Sequence, residues 1–583
     1  MDASTDRDGT LRFGSFELDV RSRELRTGAN RVRLQEQPFE ILRMMLERPG
    51  AVVTRDELRQ RLWPNGTFVD FEHSLNAAVK RLRAALGDNA DNPRFVETLP
   101  RRGYRFIAAL SPESGEVAVA AVPRVAVLPF SNLSDEGSQD YFTDGLTEEM
   151  IAQLGQRCRG RMGVIARWSS MAFKGTTERS RAIGQALRVE YLLEGSVRRE
   201  GDRVRVTARL VEAASETHLW AETYERHLTD CLSVQADIAA RIAESLALEL
   251  APGRPPDAQS AATSASAYQE YLKGRYYWNH WVRPDDGGGE QALSSFNDAL
   301  RIDPNFAPGY ASLSRVHIAR AVHYLERPRR ALEAARTAAK RALDLNPELS
   351  EGHLALADVR RMLEWDWHGA ETAYLRAIAL NPSQENAHRG YGALLVALSR
   401  PGEAIREAER ACEFDPLCLV VNTNAAWVRF LVGDHDAALG HCRRTADLDP
   451  QYLPARRLIG AVYLQAGKTR DAIDVLEAAH AEAKEDPIVA AALAHAKAIA
   501  GDEAGATALL EALRRLDRRR YLPPYYLALV HVGLGDADRA FAALEQATVD
   551  ADPALGYVAV DPRFEPIRRD ARYLRLVELL GLG

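Results

Sequence analysis

Five short stretches decide how most of this chain folds: Ala299–Pro304 (ALRIDP), Ala342–Pro347 (ALDLNP), Ala377–Pro382 (AIALNP), Ala411–Pro416 (ACEFDP) and Thr445–Pro450 (TADLDP). Seven residues before each stands an alanine, Ala292, Ala335, Ala370, Ala404 and Ala438, and the series continues with Ala472, Ala506 and Ala540. The spacings are 43, 35 and then 34 five times over. Four residues after each alanine comes Phe296, Ala339, Tyr374, Ala408, Cys442, Leu476, Leu510 or Leu544. Offsets of zero, four and seven share one helical face. The proline after Asp or Asn ends that helix, and its fixed φ suits the start of the next. Gly433, Gly467, Gly501 and Gly535, each five residues before its alanine, supply the turn inside a pair. The pattern therefore predicts stacked helix pairs over residues 265–549. Small residues let the two helices of a pair approach, and each pair needs its neighbours to bury its outer face.

This period and this Ala/Ala/Pro spacing resemble the tetratricopeptide repeat. The resemblance implies an all-α solenoid of eight repeats with a concave groove lined by the first helix of each pair. The first spacing of 43 and the usual absence of the family's tryptophan depart from the pattern. The groove-lining candidates, from three successive repeats, are Asn386, Arg389, Asn422, Asn424, Arg456 and Arg457, placed to hold a protein or peptide by hydrogen bonds and charge. Residues 550–583 are expected to cap the last repeat.

At the other end, residues 11–109 read as short alternating strands, then helices, then a hairpin. RFGSFELD, RELRTG and RVRL alternate apolar and polar residues, with a turn at Gly28-Ala29-Asn30. Phe39, Ile41, Leu42, Met45 and Leu46 form an apolar stripe. Thr54 followed by Glu57 is a capping box for a helix through Leu62. A third helix begins at Ser74 with Leu75, Ala78, Val79, Leu82 and Leu86 on one face, and Gly87 stops it. The strands Phe95–Thr98 and Gly103–Ile107 follow. This order predicts a winged helix-turn-helix. LRAAL and FVETLPRRGYRF resemble the DNA-binding domain of OmpR/PhoB-type regulators, whose third helix enters the major groove and whose wing reaches the minor groove. The resemblance implies double-stranded DNA as partner, with Asn76, Lys80, Arg81 and Arg83 on the helix and Thr98, Arg101, Arg102 and Tyr104 in the wing as contacts. The wing departs from the family at Pro100 and Arg101. From Ser74 to Leu86 the helix has three basic residues and no acid, a face able to neutralise phosphates and to read guanine edges.

Between these lies an α/β region, residues 124–250, set off by linkers at 110–123 and 251–264. RVAVLPF (124–130) is a buried-strand pattern, a helix runs to about Gln156, and a strand is expected at Gly163–Arg167. A helix near Ala182–Leu187 precedes a hairpin, Tyr191–Arg199 with Arg203–Val211, then a strand at His218–Glu222 and a helix from about Val234 to Leu250. VAVLPF, LLEGSVRREGDRVRVTARLV and HLWAETYER resemble the TolB N-terminal-like domain, which implies an α/β fold that spaces or oligomerises. No catalytic set is visible. Asp135, Glu136, Asp140 and Asp144 lack the remaining groups of a phospho-acceptor site, and Lys174-Gly175-Thr176 lacks the glycine of a phosphate loop, position 169 being Ser. His218 and His227 have no zinc spacing, and no G-x-S-x-G element occurs.

Composition agrees with a soluble globular chain: of 583 residues 46% are hydrophobic and 27% charged, with a net charge of −7. Residues 1–110 carry 19 Lys+Arg against 16 Asp+Glu, so the basic excess sits with the winged helix. Five cysteines, at 158, 231, 412, 418 and 442 and with no C-x-x-C pair, exclude a zinc ribbon and fit a reducing compartment. The polar N-terminus and the lack of a long apolar run point to the cytoplasm, with no membrane contact. The fold class expected is multidomain: an α+β winged helix, an α/β domain and an all-α solenoid. The tandem order resembles CadC-like regulators without their membrane helix, and no receiver precedes the winged helix. The expected function is sequence-specific DNA-binding regulation of transcription with a protein or peptide input, without enzyme activity, cofactor or metal. The alternative is a scaffold whose winged helix makes protein contacts.

Overall fold

In this computed structural model the N-terminal part is described at residues 10–13, 16–19, 24–27, 30–32, 34–47, 52–62, 71–86, 88, 93, 95–99, 102–106 and 110–111. The remainder is described at 122–133, 140–158, 161–200, 203–227, 264–281, 287–516 and 521–582. Residues 1–121 and 122–583 are two compact units.

The first unit runs β1 (Thr10–Phe13), β2 (Phe16–Asp19), β3 (Glu24–Thr27), β4 (Asn30–Val32), α1 (Glu36–Glu47), β5 (Val52–Thr54), α2 (Arg55–Leu62), α3 (Phe71–Leu86), β6 (Val96–Leu99), β7 (Gly103–Phe106) and β8 (Leu110–Ser111). Strands β1–β4 form an antiparallel meander, and β8 pairs with β1. The wing hairpin β6–β7 takes β5 as a third strand. Gly103 is required there, because a Cβ at that position would sit 2.1 Å from the carbonyl oxygen of Val53. The capping box forms as the sequence predicts: Thr54 N–H donates to the Glu57 carboxylate at 2.7 Å, and Glu57 N–H donates to Thr54 Oγ1 at 3.2 Å. Helix α3 begins three residues before the expected Ser74. Its apolar stripe Leu75, Ala78, Val79, Leu82 and Leu86 is buried against Phe39, Leu42 and Met45 of α1 and Val96, Tyr104 and Phe106 of the wing.

In the second unit, β9 (Arg124–Val127), β10 (Ser131–Asn132), β11 (Gly163–Val164), β12 (Tyr191–Glu200), β13 (Arg203–Glu212) and β14 (Thr217–His227) build one sheet in the order β11-β9-β12-β13-β14, with β10 on β12. Strands β11, β9 and β12 are parallel, and the long hairpin and β14 are antiparallel. Helix α4 (Asp140–Arg157) covers one face with Leu146, Met150 and Leu154. Helix α6 (Ser180–Leu187) covers the other with Ile183 and Leu187. The strand expected at Gly163–Arg167 stops at Val164, because Arg167 opens the short helix α5 (Arg167–Met171). The helix expected at Val234–Leu250 lies outside the described residues.

Eight helix pairs follow among the described residues, from Ala265–His280 with Gly288–Ile302 to Pro524–Gly533 with Ala537–Asp550. All eight keyed alanines, from Ala292 to Ala540, are fully buried. Gly433, Gly467, Gly501 and Gly535 take positive φ at the turn within their pairs. Trp365 and Ser399 occupy the same place in earlier repeats and take positive φ without being glycine, a conformation that costs a side chain about 1 kcal/mol. At four of the five turns the Asp or Asn before proline closes its own turn: Asp303, Asn346, Asn381 and Asp449 accept the N–H two residues on, at 2.9–3.2 Å.

The array closes on itself. Tyr324 of the second repeat donates to Asp552 at 2.7 Å, and Arg329 donates to the Val549 carbonyl at 2.6 Å. Trp367 Nε1 donates to the Leu580 carbonyl at 2.7 Å, and Arg361 donates to the Tyr557 hydroxyl at 3.1 Å. The last residues form two short 3-10 turns, Pro553–Tyr557 and Pro562–Ile567, and a helix, Ala571–Leu579. These pack beneath the eighth pair through Leu555, Phe564 and Tyr573. The result is a ring of repeats rather than an open arc.

The α/β domain docks onto this ring. The outer edge of β11 is satisfied by repeat turns: Val164 N–H donates to Ser383 Oγ at 3.1 Å, and Ala166 N–H to the Phe414 carbonyl at 2.7 Å. This removes an open sheet edge. The fourth of the five turns, Asp415-Pro416, is built differently from the others. Asp415 accepts from Ser169 N–H (2.9 Å) and Ser169 Oγ–H (2.6 Å), while Ser169 Oγ takes the Leu417 N–H (2.9 Å) that a self-closing turn would give to the aspartate. Both side chains are buried. A second contact centres on Glu148 of α4, which pairs with Arg275, lies 3.6 Å from Arg167 and accepts from Asn279 at 3.1 Å. Burial alone would raise this carboxyl, but Arg275 and Arg167 outweigh it and hold the group below the usual carboxylate range.

Candidate nucleic-acid interface and ring interior

On α3 the stripe opposite the core carries Asn76, Lys80 and Arg83 one turn apart, with Arg81 beside it. Lys80 and Arg81 are exposed, and Arg81 donates to Gln35 at 2.9 Å. Arg83 is turned toward the wing: its guanidinium donates to the Val96 carbonyl at 2.6 Å and to Thr98 Oγ1 at 2.7 Å. It braces the hairpin against the helix and draws Thr98 into the same contact. Tyr104 is 2% exposed. Its ring belongs to the core, and its hydroxyl donates to Asn76 at 2.8 Å. Tyr104 is thus a support for α3 rather than a wing contact, because period-two alternation puts it on the inner face of β7. Arg102 is exposed at the hairpin turn, and Arg101 lies outside the described residues. The surface presented outward is therefore Asn76, Lys80, Arg81, Thr98 and Arg102, with Thr98 exposed although it accepts from Arg83.

Sequence reasoning missed Arg55. It opens α2, donates to Asn76 at 3.4 Å and stacks 5.4 Å from the Tyr104 ring centre. Its place directly after the capping-box threonine was the available signal. In the α/β domain, Lys174 pairs with the buried Asp144 at 2.8 Å. Asp135 and Glu136 lie outside the described residues, as does the side chain of Asp140. Among the described residues no group of His, Cys, Asp and Glu is placed to hold a metal ion, and no helix is long and apolar enough to cross a membrane.

The ring encloses a cavity of about 660 Å³. Asn386, Arg389, Asn424 and Arg457 line it. Asn422 does not. It sits two residues before Asn424, on the opposite side of the helix, is buried, and donates to the Pro416 and Cys418 carbonyls. Arg456 also turns away, one position from Arg457, and pairs with Glu482 at 2.6 Å. The α/β domain contributes Glu148, Ile151 and Arg167 to the wall, and the C-terminal segment Tyr557 and Arg563. No local pattern could have announced these, since they come from opposite ends of the unit.

Comparison with known proteins fits this architecture. Residues 29–106 match the family described as "Transcriptional regulatory protein, C terminal", residues 121–241 "HilA/YgeH-like transcriptional regulator, second domain", and residues 430–496 "Tetratricopeptide repeat". The chain carries an OmpR/PhoB-type winged helix and tetratricopeptide repeats, and the match of the α/β domain is to the HilA/YgeH-like second domain; the TolB resemblance gains no support. The chain is 32% identical over 323 residues to "Putative adenylate cyclase 3" of Rhizobium meliloti, covering 54% of this chain and 52% of that one. It is 38% identical over 107 residues to "Cholera toxin homolog transcriptional activator" of Vibrio parahaemolyticus, covering 17% and 37%. It is 21% identical over 422 residues to "Transcriptional regulator HilA" of Salmonella typhimurium, covering 72% and 73%. The matches thus span about half of the first relative and little over a third of the second.

Proposed function

We propose that this chain is a sequence-specific DNA-binding regulator of transcription whose repeat ring receives a protein or peptide input. The observation that carries the reading is the outer face of α3, where Lys80 and Arg81 are exposed while Arg83 locks the wing beside them. A cationic helix held rigidly next to a hairpin suits a major groove and its flanking phosphates. The regulators among the relatives support the same reading, and the bacterial cytoplasm is the compartment it requires. Enzyme activity is not part of the proposal: the Rhizobium relative's name describes that protein, and the pairing of Lys174 with Asp144 accounts for two residues that resembled chemistry here. The α/β domain serves as the joint that seats on the ring through Ser169 and Glu148.

The test is DNA capture by the full chain. Genomic fragments bound at low salt are sequenced, and affinity for the enriched site is compared between wild type and Lys80→Ala/Arg81→Ala. Selective enrichment lost in the variant supports the reading. No enriched fragment, with a folded chain, favours the scaffold alternative.

A further inference from the structure

We propose that the interior of the repeat ring binds a small organic monoanion, a carboxylate on an aromatic or apolar body, with Arg457 as the residue that receives the carboxylate. This deepens the reading of the ring as the part that receives an input, and rests on that reading for its regulatory meaning but not for binding itself.

Three observations converge. The first is hydrogen bonding. Arg167 Nε, Glu351 Oε2, Thr423 Oγ1, Asn424 Oδ1 and Arg457 Nη1 are buried, make no hydrogen bond in the structure, and all belong to residues that line this one cavity. Buried polar atoms are nearly always satisfied; of these, Arg457 Nη1 and Thr423 Oγ1 can donate to a ligand carboxylate, while Glu351 Oε2 and Asn424 Oδ1 accept and call for a donor. Thr423 and Asn424 lie in the fifth repeat and Arg457 in the sixth, on neighbouring first helices.

The second is charge. Arg167 and Arg275 share Glu148, Arg361 pairs with Asp358, and Arg563 pairs with Asp561. Arg315 lies over the Trp278 ring, and Arg389 bonds Asn386, with Glu385 close to both arginines. Among the described residues Arg457 has no carboxylate partner. It rests only over the Tyr526 ring, 5.9 Å from its centre. His323 and His495 add no positive charge near neutrality, since burial, and then a nearby arginine, lower each to about 4. Arg457 is thus the lining guanidinium with no carboxylate in contact, and its planar fork matches a carboxylate in bidentate fashion.

The third is the wall itself. Trp278, Trp427, Tyr452 and Tyr526 face the cavity, which gives a bound acid a broad apolar and aromatic surface. Two sources present this chemistry: a free aromatic acid and the C-terminal carboxylate of a peptide ending in an apolar residue. Either would touch the ring and the α/β domain together, because Arg167 and Glu148 line the same space.

The experiment is titration calorimetry on the full chain with benzoate, phenylacetate, 3-phenylpropionate and indole-3-acetate, with their primary amides, and with Gly-Gly-Phe bearing a free or an amidated C-terminus. At least one free carboxylate is expected to bind, and its amide about tenfold or more weaker. Arg457→Gln should weaken binding by about tenfold, whereas Arg456→Gln, turned to the outer flank, should leave it unchanged. Thr423→Val serves as a milder second variant if circular dichroism shows that Arg457→Gln loses helix. Binding by the free acids alone identifies a metabolite-type ligand, and binding by the tripeptide alone a peptide terminus. The proposal is overturned if no carboxylate binds at millimolar concentration, if amides bind equally well, or if the folded variants at 457 and 423 bind like wild type. DNA affinity measured on the same preparation separates the two readings: loss of DNA binding with acid binding intact removes the regulator reading alone.

Discussion

Arg81 on α3 and Arg457 inside the ring carry the same guanidinium in opposite surroundings. Arg81 stands in solvent with Gln35 as its hydrogen-bond partner, on a face that continues through Lys80. Arg457 lies against Tyr526, with one of its nitrogens buried and unbonded. The first arrangement suits a long polyanion met at a surface, where charge acts through a screened field. The second suits a small ligand that has shed its water, where a single hydrogen-bonded contact counts for more. What decides the use of a cation here is the closure around it, and closure is set by contacts far from the cation in sequence.

The strongest test of that contrast is ionic strength. DNA binding through roughly five phosphate contacts should give a log–log salt slope near about −4.5. Binding of an acid in the interior should vary far less, because buried pairs are poorly screened. Replacing Lys80 and Arg81 with alanine should weaken DNA binding by about 100-fold, while leaving the interior untouched. Equal salt slopes at both sites would break the comparison.

A smaller effect is expected at the docked turn. Ser169→Ala removes the hydroxyl that donates to Asp415 and accepts from Leu417, leaving that part-buried N–H without its present acceptor. The expected loss is about 1–3 kcal/mol in denaturant unfolding of the full chain. Asn346→Ala, at a turn that closes on itself near the surface, should cost less. If the two substitutions cost the same, the seating of the α/β domain on the ring has been overstated.

The same turn should show in the pH dependence. Burial, and then the nearby charge of Glu385, push Asp415 up to about 7 from an ordinary 3.8. Its contribution is therefore full below about 4 and lost as pH rises through about 7. His323, His441 and His495 run the other way: each is lowered to about 4, first by burial, so each stabilises above its ordinary 6.5 and loses that contribution as pH falls through about 4. The melting temperature of Asp415→Asn minus that of wild type isolates the aspartate, and should grow between pH 4 and 7. A flat difference would show that the carboxyl titrates normally.

The smallest effect is expected at Arg456. Its partly exposed pair with Glu482 should be worth less than about 0.5 kcal/mol, so Arg456→Ala should scarcely move the unfolding midpoint. A large loss would mean that the Arg456 side chain, only 14% exposed, contributes by packing rather than through its pair with Glu482.

The pattern of what could be read beforehand follows the range of the forces involved. The helix pairs, the capping box and the stripe on α3 depend on residues a few positions apart, and periodicity exposes them directly. Asn422 and Arg456 show the limit of that method: each is one or two positions out of phase with a neighbour that does face the interior. Arg83 and Tyr104 show another limit. Their types fit DNA contact, but the hairpin returns close enough to α3 that a backbone carbonyl and a core position claim them. A lined concave face could be foreseen, as Asn386, Arg389, Asn424 and Arg457 show, but not the closed cavity, because its wall joins Glu148 to Arg563 through the fold alone.

Ring closure also changes how the repeats answer to loss and repair. In an open solenoid each repeat feels only its neighbours, and the ends fray first. Here Tyr324 and Asp552, 228 residues apart, are bonded, and Trp367 is tied to Leu580. The eighth repeat and the segment after it therefore cannot melt without releasing the second and third repeats as well, so amide exchange should be nearly level from the second repeat to the last instead of rising toward the C-terminal end. Contacts of such sequence separation also form late in folding. The last thirty or so residues thus act as a clasp, fastened only once every repeat before them is in place.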